Sequence, residues 1–195
     1  MAERPGKREH VLREARRLFY DRGIRAVGVD TVAAESGVSK MTLYSYFGSK
    51  DGLVVACLDS VDERYRLWLE RRVTQGSITP SEQILGIFDA LKDWFEKPTF
   101  RGCVFVNATV ELADPQHPAR RPILNHKHRM REWIAGLAAE AGLSEPAAVG
   151  AHVMLLMEGA IITALVDDDP SAADRAKEVA GYVVAAHSGA IAVGA

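Results

Sequence analysis

The sequence predicts an all-α protein of about nine helices, in which three short N-terminal helices precede a larger helical body. Residues 31–50 contain two short helical segments on either side of a Gly-Val-Ser turn. Along most of the remaining chain, apolar residues repeat at three- and four-residue steps, which is the period of a helix. Only CVFV, near residue 104, has the composition of a strand. Because no partner strand is evident, we assign it to a helix over 103–113.

The turn within residues 31–50 has the chemistry of a helix-turn-helix. Gly37 stands at the chain reversal, where a residue tolerant of positive φ is needed. Ser39 follows two residues later, in the position that caps a helix over 40–47. A helix of this length is not stable alone, so its function must lie in what its surface presents.

The solvent face of the helix over 40–47 suits a DNA major groove. Leu43 and Phe47 are spaced for burial. The remaining face consists of Lys40, Met41, Thr42, Tyr44, Ser45 and Tyr46. A cation, hydroxyls, phenols and an apolar side chain can meet phosphates, base edges and thymine methyl groups. An ordinary helical hairpin is the alternative, and the Gly-Val-Ser turn alone does not exclude it.

The longer string SKMTLYSYFGSKDGL favours the DNA-binding interpretation. It places Ser49 as a further cap and Lys50 in the first turn of the next helix, where a lysine can reach a phosphate. With the helix before it, the segment 8–56 closely resembles the DNA-binding domain of TetR-family transcriptional regulators. One departure is Gly28, where the family usually has Thr or Ser. Glycine caps a helix less well and offers no hydroxyl to a phosphate.

The charge distribution agrees with a nucleic-acid-binding N-terminus. The net charge of the chain is -2, yet the first 50 residues carry ten Lys or Arg against six Asp or Glu. An acidic remainder repels DNA and would keep it at the basic end. We therefore predict a helix-turn-helix DNA-binding domain over 1–50, including the start of a linking helix, and an effector-binding and dimerisation domain over 51–195.

Positions in the motif predict which side chains contact DNA. We assign base-edge or near-base contacts to Lys40, Met41, Tyr44 and Ser45. We assign phosphate contacts to Thr31, Ser39, Thr42, Tyr46 and Lys50. A substitution at Lys50 should weaken binding to all duplexes, whereas one at Lys40 or Ser45 should alter sequence preference.

Gly, Pro and polar segments divide the rest of the chain into helices. They are predicted over 7–22, 49–73, 80–97, 103–113, 122–142, 146–166 and 172–188. The last two carry small residues on faces that allow close approach: Gly150, Gly159, Ala160, Ala164, Ala173, Ala176, Ala180, Gly181 and Ala185. These residues could pack within one chain, but their number favours a two-fold interface. The resemblance likewise implies a homodimer formed through the last two helices, which would read a palindromic operator.

The resemblance also implies a small effector inside each helical body. Aromatic and Met residues that could line such a cavity are Phe88, Trp94, Phe105, Trp133, Met154 and Met157, although side chains at this spacing are more often core. Polar groups beside apolar stripes are Asn107, Glu111, His126 and Glu158. Because such groups must be paired or face a ligand, we expect a mostly apolar effector fixed by one or two polar contacts.

The sequence gives weaker evidence for functions other than DNA binding. Cys103, Glu111, Glu158 and three histidines offer catalytic residue types, but no nucleophile motif surrounds Cys103. His126 and His128 point in different directions on a helix and would chelate a metal poorly. We therefore expect no enzyme, no metal and no cofactor. A constitutive DNA-binding protein without an effector stays open, and so does an activator in place of a repressor. Operator sequence, effector identity and regulated genes are not readable from the sequence.

The expected location is the cytoplasm. We expect that no apolar run approaches the 18 or more residues of a membrane span, and the N-terminus has no signal-peptide pattern. Cys57 and Cys103 lie far apart and match no metal spacing, so we expect both to be reduced, buried thiols.

Overall fold

The computed structural model describes residues 6–75 and 79–189, and over these ranges the chain forms nine α-helices and no strand. The helices are α1 Lys7–Arg22, α2 Val29–Glu35, α3 Lys40–Phe47, α4 Lys50–Thr74, α5 Pro80–Phe95, α6 Val104–Glu111, α7 Arg120–Glu140, α8 Pro146–Asp167 and α9 Ala172–His187. The all-α prediction is confirmed, and CVFV is helical. The bounds of the predicted helices differ from the observed ones by one or two residues at most.

The described chain forms two compact units. Of the described residues, unit 1 contains 6–64 and Val104–Asn125, and unit 2 contains 65–75, 79–103 and 126–189. The boundaries of these structural units differ from the boundary between functional domains that the sequence predicts after residue 50. In particular, α6 belongs to the same unit as the three N-terminal helices.

Unit 1 is built on the apolar stripe of α1. Its buried residues recur at helical spacing: Val11, Leu12, Ala15, Leu18 and Phe19. Val32 and Ala33 of α2 and Leu43 of α3 are also buried. Burial of one side of each short helix supplies the stability that the helices lack in isolation. It also fixes which side of α3 faces the solvent.

In unit 2, α8 packs on α9 and both pack on α5. Thr79 begins α5 with a capping box, in which its side chain accepts a hydrogen bond from the backbone of Glu82 and the Glu82 carboxylate accepts one from the Thr79 backbone. Two ion pairs join α5 to α9. Lys177 lies 2.7 Å from Asp89, and Lys92 lies 2.6 Å from Asp174.

The small residues of α8 and α9 divide between two environments. Five of the nine are buried within unit 2: Gly150, Ala160, Ala164, Ala173 and Ala180. A Cβ at Gly150 would lie 2.7 Å from the carbonyl oxygen of Arg131, so the close approach there is between α8 and α7. For these five positions, packing within one chain is the correct interpretation. The side chains that remain exposed on the two helices are mainly larger ones.

One sequence expectation about α8 was wrong. Pro146–Asp167 is long and apolar enough to cross a membrane by length and composition, with a mean hydropathy of 1.9 over its most apolar window. Counting an uninterrupted run missed this because single polar residues interrupt the segment without lowering its average much. In the structure 44% of that window is buried, and a core helix meets the same criterion.

Candidate nucleic-acid interface

The first turn of α3 is fixed by its cap. The Ser39 hydroxyl accepts a hydrogen bond of 3.1 Å from the backbone N–H of Thr42, as the sequence predicted. Leu43 is fully buried, whereas Met41 is 82% exposed and Tyr44 is 40% exposed. A large apolar side chain held in solvent on a short helix has no role in the core of unit 1, so α3 presents a surface built for contact.

The residues predicted to contact DNA lie on α3 and at the adjoining ends of α2 and α4. Lys40, Met41, Tyr44, Ser45 and Ser39 are exposed, while Thr31, Thr42, Tyr46 and Lys50 are half-buried. The Ser45 hydroxyl donates a hydrogen bond of 2.8 Å to the carbonyl of Thr42, which leaves its oxygen lone pairs for a hydrogen-bond donor on a base edge. The Tyr46 ring packs edge-on against Phe47.

An ion pair crosses from α2 to α3. Lys40 Nζ lies 3.0 Å from Asp30 Oδ1, and both side chains are largely exposed. The hydrogen bond that Lys40 donates to the Asp30 carboxylate raises the pKa of Lys40 above its ordinary value. The sequence did not point to this pair, because ten residues separate Asp30 from Lys40. Lys40, the residue that the sequence assigned to base edges, is thus held by a neighbouring carboxylate in the structure.

The start of α4 adjoins α3. The Ser49 hydroxyl accepts a hydrogen bond of 3.0 Å from the backbone N–H of Gly52, so Ser49 caps α4 as predicted. Lys50 is the first residue of the helix. At the start of α2, Gly28 makes no side-chain cap, and this agrees with the weaker capping expected from glycine.

A cleft of about 480 Å³ adjoins the same surface. It is lined by Lys7, His10, Ser36, Gly37, Val38, Ser39 and Thr42. Sequence reasoning missed Lys7 and His10, because both belong to α1 and carry no motif of their own. Only the fold brings the start of α1 beside the turn between α2 and α3.

Unit 2 holds part of the residue set predicted for an effector. Tyr65 is the centre of a ring cluster, 5.9 Å from Trp94 and 5.8 Å from His126 between ring centroids. Burial raises the pKa of the Tyr65 phenol. Nearby, Lys127 forms an ion pair with Glu158 and lies 3.5 Å from Cys103 Sγ. Tyr65 and Lys127 were missed as partners, since no local spacing connects them to the residues they contact.

The other predicted effector residues are dispersed. Phe88, Met154 and Met157 are buried in unit 2, and Trp133 is half-buried there. Phe105, Asn107 and Glu111 belong to unit 1. Phe105 is buried and Asn107 is half-buried. The carboxylate of Glu111 accepts a hydrogen bond of 2.9 Å from the backbone N–H of Arg25.

Two family models of known proteins together match most of the chain. Residues 11–57 match the family model described as bacterial regulatory proteins, tetR family, and residues 80–180 match the tetracyclin repressor-like C-terminal domain. The HTH-type transcriptional regulator YjdC of Escherichia coli strain K12 is 23% identical over 174 residues, which cover 89% of this chain and 91% of YjdC.

Two further relatives differ in how much of the chain they match. The HTH-type transcriptional repressor NemR of the same strain is 28% identical over 108 residues, or 55% of this chain and 54% of NemR. The crystal structure of SCO4454, a TetR-family transcriptional regulator from Streptomyces coelicolor, has 32% identity and a TM-score of 0.84. The match covers 93% of this chain and 96% of SCO4454.

The capped α3, its exposed face and the helical body define a helix-turn-helix transcriptional regulator that binds DNA. The two family models and the structural match show that the chain belongs to the TetR family. This family is regulatory and DNA-binding rather than enzymatic.

Proposed function

We propose that this protein is a homodimeric, ligand-responsive repressor that binds a palindromic operator and is released from it by a small, mostly apolar effector. The observation that carries the proposal is the surface of α3. Its buried side is limited to a few residues, and Lys40, Met41 and Tyr44 face the solvent together. One such helix contacts few base pairs, so useful specificity requires two copies.

The exposed apolar faces of α8 and α9 support the dimer. On α8, Leu155, Ile162 and Val166 are 72%, 50% and 73% exposed and follow one another at helical spacing. On α9, Val179 and Tyr182 are 44% and 65% exposed. Both helices belong to unit 2 and pack on each other. Contiguous apolar exposure of this kind marks an interaction surface, and a second copy of the chain would cover it by two-fold symmetry.

A charge on this face tests the dimer. Val166→Glu should shift the purified protein from dimer to monomer in sedimentation velocity, because the carboxylate would be buried without a partner. Val110→Glu is the matched control, since Val110 is 75% exposed but lies on α6 in unit 1. A Val166→Glu protein that remains dimeric would contradict the assignment of this face.

Effector release would act through α4, which contributes residues to both units. In the proposed mechanism, an effector bound in the body tilts α4 and changes the separation of the two α3 helices. Coupling requires only that effector affinity differ between the two separations. Aromatic residues such as Trp94 would give the effector its apolar contacts, and His126 or Glu158 would give it a polar one.

The first experiment is selection of bound duplexes from a random DNA pool, repeated at two salt concentrations. A palindromic motif is expected. Recovery of no motif, or of binding lost evenly with salt, would point to non-specific attachment and contradict the proposal. The recovered operator then serves to screen apolar compounds for release. If no compound releases a tight specific complex, the constitutive alternative would replace the ligand-responsive one.

A further inference from the structure

The cleft beside the turn between α2 and α3 combines side chains from two parts of unit 1. Lys7 and His10 come from the first turn of α1, whereas Ser39 and Thr42 come from the start of α3. Among the residues that the structure describes, the lining contains no Asp or Glu, and the ammonium group of Lys7 is its one fixed charge. This composition favours an anion.

The hydrogen-bonding pattern defines which groups of the lining can donate. The guanidinium group of Arg13 lies 2.6 Å from His10 Nδ1. Since an arginine only donates, Nδ1 must accept, and the ring proton then resides on Nε2. His10 Nε2 is therefore a hydrogen-bond donor, with the charge of Arg13 behind the ring. Arg13 also lies 3.5 Å from Glu14 on the same helix.

The two hydroxyls provide one further donor. Ser39 Oγ and Thr42 Oγ1 lie 2.9 Å apart and share one hydrogen bond, which uses one of their two hydroxyl protons. Ser39 Oγ already accepts from the backbone N–H of Thr42. The remaining hydroxyl proton is available to an acceptor placed in the cleft. The residues that line this one cleft therefore offer an ammonium group, a ring N–H and a hydroxyl, which are donors that match the acceptor oxygens of a phosphate.

We propose that this cleft holds one phosphate of the DNA backbone, and that Lys7 and His10 of α1 are DNA-binding residues. The proposal rests on the DNA binding proposed above and extends it from α3 to α1. A phosphate bound between α1 and the start of α3 would fix the angle at which α3 enters the groove, because it touches both helices. Ser39 and Thr42, expected to contact phosphates from the motif alone, then belong to the same contact as Lys7.

The test uses the full-length protein and the operator recovered by selection. Lys7→Gln should weaken operator binding several-fold and lower the slope of log affinity against log salt by about one for each subunit. Lys97→Gln is the matched control: Lys97 is an exposed lysine of unit 2 and lines no part of the cleft. Unchanged affinity and slope for Lys7→Gln on an operator that the unaltered protein binds specifically would overturn the proposal. Failure of the unaltered protein to bind any motif would instead overturn the function.

A chemical change in the DNA identifies the phosphate. Methylphosphonate linkages, which are uncharged, are introduced one at a time along the operator. One position in each half-site should weaken the unaltered protein but have little further effect on Lys7→Gln, because both changes remove the same contact. Additive losses at every position would contradict the contact.

His10 and the source of the anion are tested separately. His10→Phe should weaken operator binding, and His10→Gln, which restores an N–H donor, should recover part of the loss. Equal loss in both variants would contradict a donor role. Replacing chloride by inorganic phosphate at equal ionic strength should weaken operator binding by the unaltered protein more than by Lys7→Gln, because free phosphate would compete with the DNA phosphate for the cleft. An equal effect on both proteins would contradict a phosphate contact at Lys7. Binding of free phosphate in the cleft with no loss of operator affinity would overturn its assignment to the DNA backbone.

Discussion

The carboxylate of Glu111 accepts a hydrogen bond of 2.9 Å from the backbone N–H of Arg25, which ties α6 to the loop between α1 and α2. The same carboxylate lies 3.0 Å from the point that a Cβ at residue 23 would occupy. Gly23 leaves this space open and has φ +88°, a value that L side chains rarely adopt. A residue far along the chain therefore holds the loop that leads into the helix-turn-helix.

Removing the Glu111 carboxylate should loosen this loop. Glu111→Ala should lower the free energy of unfolding by about 1 kcal/mol, since one hydrogen bond to a half-exposed carboxylate is lost. Glu111→Gln keeps an acceptor oxygen and should retain most of the stability. Urea denaturation followed by circular dichroism measures both. Equal losses in the two variants would show that the hydrogen bond is not what Glu111 contributes.

Asp30 should weaken non-specific DNA binding. Its carboxylate pairs with Lys40 at 3.0 Å and places a negative charge beside the surface proposed to bind DNA. Asp30→Asn should therefore bind random duplexes a few-fold more tightly, while discrimination between the operator and random DNA should fall because Lys40 loses its orienting partner. Fluorescence anisotropy with both duplexes measures this. Asp21→Asn is the control, because it removes an equal charge from unit 1 at the far end of α1. Weaker binding to random DNA would contradict the prediction.

The number, order and approximate bounds of the helices could be predicted from the sequence, whereas many of the contacts between them could not. Helical period, caps and breakers act over a few residues, and they defined α1, α3 and the Ser39 cap closely. The partner of a side chain depends on the packing of distant segments. Glu111 was predicted to face an effector, yet its carboxylate bonds to Arg25, 86 residues away.

Two glycines of unit 2 should respond oppositely to the same substitution. At Gly150, an added Cβ would lie 2.7 Å from the Arg131 carbonyl oxygen and 3.1 Å from Ala135 Cβ. Gly150→Ala should therefore lower the free energy of unfolding by about 1–3 kcal/mol, because backbone would have to move. At Gly136, apart from the neighbouring backbone of α7 itself, no atom of the described residues lies within 4 Å of an added Cβ. Gly136→Ala should raise stability by about 0.5–1 kcal/mol through helix propensity.

Thermal and urea denaturation of the two variants, measured beside the unaltered protein, check this pair. The sequence offered no means of ranking Gly136 and Gly150, since both are single glycines inside helical patterns. Stabilisation by both substitutions would contradict the close approach of α7 and α8 at Gly150.

Cys57 should resist alkylation in the folded protein. Its thiol lies 4.0 Å from the carbonyl oxygen of Leu12, and burial raises its pKa from 9.0 to about 12. At pH 8 almost no thiolate forms, and the thiolate is the reactive species. Iodoacetamide treatment followed by mass spectrometry should find Cys57 unmodified without urea and modified in urea. Equal modification in both conditions would contradict the burial.

The same pKa shift makes stability depend on pH. Between pH 9 and 12 the folded protein retains a proton on Cys57 that the unfolded chain releases. The contribution of the protonated Cys57 thiol to stability is therefore fully present below pH 9 and is lost as the pH rises towards 12. The free energy of unfolding should fall over this interval. Cys57→Ala should reduce the dependence, as measured by urea denaturation at several pH values.

The arrangement of α8 has a consequence for mutational tolerance. Its inward residues, such as Val153 and Met157, are buried in unit 2, while Leu155, Ile162 and Val166 form the outward row. In the proposed dimer, a charge on the inner row would unfold the subunit and a charge on the outer row would separate two folded subunits. A complete substitution scan of α8 should then find two distinct classes of defect on one helix. Charged variants of the inner row should lose their helical circular dichroism, whereas charged variants of the outer row should keep it and sediment as monomers.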